Sequence, residues 1–103
     1  MPRGYGHKFL LHLQTTDVVL LGTRLGRVCV EANLPASYIA RVLQVSKTTI
    51  YKWFRGQGVR ESKRLAVETL LHLLEEDMAA GKLPVQTTNA ARIYLSELSG
   101  VDI

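Results

Sequence analysis

The stretch IARVLQVSKTTIYKWFRG, residues 39–56, contains two short segments of helical pattern with a polar turn between them. Ser46 stands where a hydroxyl group caps a helix N-terminus, and Gly56 stands where a glycine commonly ends a helix. These signals predict a helix over residues 47–55. The preceding segment, with Pro35 suited to a first turn, predicts another helix over residues 35–43. Two short helices joined by a tight turn form a helix-turn-helix unit.

The two sides of the second helix differ in chemistry. Large apolar side chains three residues apart fall on one side of a helix, and they predict attachment to a core. The predicted anchors of the whole motif are Ile39, Ala40, Leu43, Val45, Ile50 and Trp53. The outward side is polar and basic, which suits a DNA major groove. It carries Lys47, Thr48, Tyr51, Lys52 and Arg55, while Thr49 is compatible with either a half-buried position or a groove contact.

Charge is unevenly distributed along the chain, whose formal net charge is +4. Residues 41–64 hold seven basic residues and one acidic residue, whereas residues 65–81 hold four acidic and no basic residues. A basic middle beside an acidic segment indicates a localised site for a polyanion. Lys63 and Arg64 begin the next predicted helix, an unfavourable end for positive charge, which favours phosphate contacts for them. The predicted DNA-binding residues are Ser46, Lys47, Thr48, Thr49, Tyr51, Lys52, Arg55, Arg60, Lys63 and Arg64.

Three further helices are predicted from apolar periodicity. The first begins near a Thr16 cap and ends at Asn33, the fourth runs from about Glu61 to Ala80, and the fifth lies within residues 87–99. No stretch has the alternation of a strand. The expected fold is therefore all-α with about five helices. Residues 1–14 are compatible with a basic arm, a strand or a short packing segment.

The segment LGTRLGRVCVEANLPASYIARVLQVSKTTIYKWFRG, residues 21–56, resembles the Cro/C1-type (XRE-like) helix-turn-helix of phage repressors and bacterial regulators. The resemblance implies a Cro/C1-like domain in which the helix at residues 47–55 reads bases and the start of the preceding helix contacts phosphate. The chain departs from the family pattern at two positions. Gln44 replaces the usual turn glycine, and Ala36 stands where glutamine is frequent.

The sequence gives little support for a metal, nucleotide-binding or nucleophilic site. His7, His12 and His72 lack metal-ligand spacing, the glycines of RGQGVR lack a P-loop setting, and no nucleophile arrangement is present. We therefore expect no enzyme activity, no metal and no cofactor. The single cysteine, Cys29, lies among apolar residues and is expected to be buried and inert. The apolar stretch of residues 9–11 is too short for a secretory signal, and no membrane span is predicted.

Three regions are expected: residues 1–14, a helix-turn-helix DNA-binding domain at 15–83, and a C-terminal helical segment at 84–103 that is a candidate dimerisation element. The favoured function is sequence-specific double-stranded DNA binding by a small transcriptional regulator of a phage or mobile element. Such a regulator is compatible with contact with the transcription machinery. The expected location is cytoplasmic, at the nucleoid of a bacterial cell or phage-infected host. The alternatives are a DNA-packaging or architectural adaptor, such as a small terminase-like oligomer, and a protein-binding helical module.

A homodimer is expected, because one helix-turn-helix reads only a few base pairs and the second copy must come from another chain. The fourth predicted helix has more apolar surface than one small core requires. This excess, around Leu65, Ala66 and Leu73, is available to the fifth helix, the N-terminal segment or a second subunit. The alternative is that residues 84–103 fold back on their own domain.

Overall fold

The computed structural model describes residues 17–103, with side chains from residue 21 onward. Within this range the chain forms helices and no strand, which confirms the all-α prediction. The helices are α1 Asp17–Ala32, α2 Ala36–Leu43, α3 Lys47–Phe54, α4 Glu61–Ala79 and α5 Thr88–Ser99. The predicted bounds of α2, α3 and α4 agree with these to within one residue. The predictions for Thr16 and residues 1–14 lie outside the described range.

α1 packs against both α3 and α4 and so joins the helix-turn-helix unit to the rest of the domain. Its inward side chains recur every three or four residues, the spacing of one helix face. Leu21, Leu25, Cys29 and Ala32 are all buried. α4 faces this row with Val67, Leu70, Leu71 and Leu74, also buried. This apolar contact between the two longest described helices forms the centre of the core.

The predicted anchors of the motif lie where expected, with one exception. Ile39 and Ile50 are fully buried, and Trp53 is 3% exposed. Ala40 and Leu43 are buried as well, but Val45, in the turn, is only half-buried. Val45 follows a sharp change of chain direction, so its side chain packs against the edge of the core and not inside it.

The turn between α2 and α3 requires a left-handed backbone at Gln44, whose φ is 58° and ψ 47°. The amide of Val45 donates to the carbonyl of Ala40, and the amide of Gln44 donates to that of Arg41. This is the Schellman arrangement that usually has glycine at its left-handed position. Gln44 therefore adopts a left-handed conformation that glycine takes without strain, and its β-carbon makes this conformation costly.

Replacing Gln44 with glycine is expected to raise the free energy of unfolding by about 0.5–1 kcal/mol. The left-handed conformation costs an ordinary residue about 1–2 kcal/mol, and the extra freedom of glycine in the unfolded chain returns about half of this. Urea titration of Gln44→Gly and of Gln44→Ala measures the effect. Since alanine keeps the β-carbon, an alanine variant as stable as the glycine variant would contradict this account.

α5 folds back against α2 of its own chain. Thr87 caps its N-terminus by accepting the amide of Ala90, and Ala91 and Leu95 are completely buried. The Tyr94 hydroxyl donates to the Asp77 carboxylate, which fastens α5 to the end of α4. The inner face of residues 84–103 is thus part of the domain core, so a dimer contact from this segment has to use other side chains.

Candidate nucleic-acid interface

The outward side of α3 is a continuous polar and basic arc. Its five side chains, all exposed, are Lys47, Thr48, Tyr51, Lys52 and Arg55. The opposite side of the same helix carries Ile50 and Trp53, both buried. At 100° per residue the five exposed positions cover about 140° of the helix surface. The structure therefore brings together the stripe that the sequence predicted, on one accessible face.

The N-terminus of α3 is fixed by two hydroxyl groups. The Thr49 amide donates to the Ser46 oxygen over 3.0 Å, and the Ser46 hydroxyl in turn donates to Thr49 Oγ1 over 3.0 Å. The predicted cap is confirmed. Thr49 is half-buried, so both hydroxyls are engaged in starting the helix. Their first contribution is therefore to orient the arc.

The C-terminus of α3 ends as the sequence predicts. Gly56 has a φ of 103°, and its amide donates to the carbonyl of Trp53. The amide of Gln57 donates to the carbonyl of Lys52, which completes a glycine-ended Schellman motif. Arg55 lies immediately before this glycine and points outward. Both ends of α3 are consequently fixed by local hydrogen bonds.

α1 approaches α3 at two glycines that the sequence analysis did not single out. A β-carbon on Gly22 would lie 2.5 Å from the carbonyl oxygen of Trp53, and one on Gly26 would lie 2.8 Å from Cγ of Phe54. Neither distance is possible for a real side chain, so the close contact requires glycine at both positions. In the sequence, the four-residue spacing that places Gly22 and Gly26 on one helix face is the feature that indicates such a close approach.

Tyr51 and Phe54 form an aromatic pair at the edge of the arc. Their ring centroids are 6.3 Å apart and the rings are nearly perpendicular, at 84°. Phe54 is half-buried beside Gly26, whereas Tyr51 is 45% exposed. The edge-to-face contact restricts the Tyr51 ring while the residue stays exposed, as a base or phosphate contact requires.

The three predicted basic residues around the start of α4 occupy different settings. Arg60 is exposed at the N-cap position of α4 and makes no side-chain cap. The ammonium group of Lys63 donates to the carbonyl of Leu43 over 2.9 Å. This hydrogen bond satisfies a carbonyl at the C-terminal end of α2. Arg64 pairs with Glu68 on its own helix at 3.4 Å. Of these three, Arg60 has the side chain most available to a phosphate.

The acidic side chains of α4 have partners on another face. Arg24 of α1 pairs with Glu75 at 3.2 Å, and His72 lies 3.2 Å from Glu76. α3 itself carries no acidic residue. The positive potential of the arc is therefore not neutralised from within its own helix, and these acidic groups pair with side chains of α1 or of α4 itself.

Comparison of the chain with protein-family models, curated proteins and solved structures finds no match.

Other chemistry is sparse in the described part of the chain. Among residues 17–103 no three histidine, cysteine or acidic side chains are grouped to hold a metal ion. None of the described helices is long and apolar enough to cross a membrane. Cys29 is 1% exposed, and burial raises the pKa of its thiol to about 12. A thiol with so high a pKa is a poor nucleophile, because the thiolate is the reactive species.

We expect Cys29 to react with a disulfide reagent at pH 8 far more slowly in the native protein than in urea. Burial both shields the sulfur and disfavours its ionised form. The raised pKa means that the native state keeps its proton while the unfolded thiol loses it, so stability should fall as the pH rises from about 9 towards about 12. Stopped-flow absorbance follows the reaction, and rapid complete labelling of the folded protein would contradict a buried thiol.

Proposed function

We propose that this protein binds double-stranded DNA sequence-specifically, as a small transcriptional regulator, with α3 in the major groove. The observation that carries the proposal is the exposed arc of α3, basic and free of acidic residues, on a helix fixed by burial on its other side. α3 has eight residues, about 12 Å in length, and the major groove is about 12 Å wide.

The side chains of the arc divide between two roles. Thr48 and Tyr51 combine hydrogen-bonding groups with apolar surface, and they are our proposed base contacts. Lys52, Arg55 and the nearby Arg60 are exposed cations, suited to phosphates on either side of the groove. Lys63 would act indirectly, because its ammonium group holds the end of α2 beside the turn.

The protein would act on the DNA of a bacterial cell or phage-infected host, in the cytoplasm. The sequence-specific hypothesis is preferred over a purely architectural role because the arc contains neutral hydrogen-bonding residues, Thr48 and Tyr51, between its cations. A surface that only follows the DNA backbone has no need of such residues at the centre of the groove.

Selection of bound fragments from random double-stranded DNA, followed by titration at several salt concentrations, tests the proposal. A regulator should enrich one motif and lose affinity steeply as salt rises. Salt-sensitive binding without any enriched motif would favour the architectural role instead. Absence of salt-sensitive binding would contradict DNA binding altogether.

A further inference from the structure

An open apolar groove lies between α4, the end of α2 and the end of α5, with a volume of about 520 Å³. Its rim includes Leu65, which is 75% exposed, and the half-buried side chains of Leu73 and Leu98. Its floor includes Leu43 and Leu70, which are buried. The surface thus presents both a protruding leucine and a depression able to receive one.

No ionisable side chain lines this groove. The contrast with the neighbouring face of α4 is sharp, since that face carries Arg64, Glu68, His72 and Glu75 together with Arg24 of α1. An uncharged groove offers nothing to the phosphates of a nucleic acid or to a strongly charged peptide. The surface that binds in this groove should be equally uncharged and apolar, and the apolar face of a helix meets this requirement.

The strip of α4 along the groove is self-complementary. Leu65 and Leu73 stand four residues on either side of Thr69, and Ser62 and Ala66 are small residues on the same face. In an antiparallel pair of helices centred on Thr69, Leu65 of one copy meets Leu73 of the other. A two-fold interface requires this kind of reciprocal contact. The small side chains allow the two helix axes to approach closely.

Two other large aliphatic residues in the described part of the chain are exposed, Ile93 of α5 at 44% and Val30 of α1, and the more exposed of them, Val30, suits a second copy less well. Val30 of α1 is 79% exposed, but charged side chains, those of Arg27 and Glu31, line the same depression. That depression also includes Phe54 of α3, so a partner seated there would approach the basic arc. The N-terminal residues are also a poor match, because their apolar run at 9–11 is bounded by Lys8 and His12. It is too short to cover the strip from Ser62 to Leu73, about 18 Å long.

We propose that the groove is occupied by α4 of a second copy of this chain, the two helices running antiparallel about a two-fold axis at Thr69. Each copy places its Leu65 in the groove of the other. The groove is walled by α2, α4 and α5, and no residue of α3 lines it. The dimer therefore leaves both recognition arcs open, and its formation requires no DNA.

Sedimentation of the full chain over a micromolar concentration series provides the first test. The parent should be a dimer, and Leu65→Lys should raise the dissociation constant at least about tenfold, since it places a charge in an apolar contact on both copies. Val30→Lys is the matched control, an equal charge change at an equally exposed aliphatic residue, and it should remain dimeric. A monomeric parent, or equal weakening by both variants, would overturn the proposal.

A cysteine at Thr69 tests the position of the axis. A residue beside a two-fold axis faces its own copy, so Thr69→Cys should form an intermolecular disulfide on mild oxidation. Cys29 is buried and should not compete. Val30→Cys should remain uncrosslinked under the same conditions. Equal crosslinking of the two variants, or none at Thr69, would exclude this arrangement. Both experiments omit DNA, so a negative result here leaves the DNA-binding proposal intact.

Discussion

Replacing Trp53 with alanine is expected to lower the free energy of unfolding by about 3–5 kcal/mol, the usual cost of removing a buried aromatic side chain. Trp53 is 3% exposed and lies with Ile50 on the buried side of α3. A domain of this size has about 5–15 kcal/mol of stability in total, so the loss is a large part of it.

Thermal or urea unfolding followed by circular dichroism measures this effect. Tyr51→Ala is the natural control, because it also removes an aromatic ring from α3 but at a position that is 45% exposed. That change should cost much less stability. A Trp53→Ala protein that unfolds like its parent while losing DNA binding would identify Trp53 as a contact residue and contradict its role as an anchor.

The sequence was sufficient to predict the features that depend on neighbouring residues. The cap at Ser46, the glycine end at Gly56 and the division of α3 into buried and exposed sides all follow from short-range spacing. The bounds of α2 and α3 were recoverable for the same reason. The same spacing predicts the five exposed side chains of the arc.

The features that depend on distant contacts were not recoverable in this way. The charge pattern predicts a phosphate contact for Lys63, because positive charge is unfavourable at the start of a helix. The structure shows its ammonium group donating to a carbonyl of α2, twenty residues away in the chain. The sequence does not specify the packing of α5 on α2, since an apolar helix face is equally suited to its own domain and to a partner. The tight crossing at Gly22 and Gly26 involves α3, which periodicity within α1 does not specify.

The double variant Lys52→Ala, Arg55→Ala is expected to weaken DNA binding by roughly 30-fold at 0.15 M salt. Each phosphate contact contributes about 0.9 to the slope of log affinity against log salt, so two lost contacts should flatten that slope by about 1.8. Both side chains are exposed and neither is an anchor, so the fold should be unchanged. Fluorescence anisotropy at several salt concentrations gives the affinity and the slope together.

Lys82→Ala, Arg92→Ala is the matched control, because it removes the same charge from the segments around α5 and leaves α3 unaltered. It should change the slope little, since only cations that displace counterions from phosphates contribute to it. Equal weakening of DNA binding by the two double variants would mean that the affinity depends on the net charge of the protein alone. In that case the arc of α3 would not be the binding site.

Thr48→Ala on α3 should behave differently from either double variant. Thr48 is exposed on the arc and uncharged, so its loss should leave the salt slope unchanged while reducing the preference for the selected sequence by about 1–3 kcal/mol. Competition between the selected sequence and its base-substituted versions measures this preference. An intact preference in Thr48→Ala, combined with a normal slope in Lys52→Ala, Arg55→Ala, would mean that α3 neither reads bases nor contacts phosphate, and the proposed interface would be wrong.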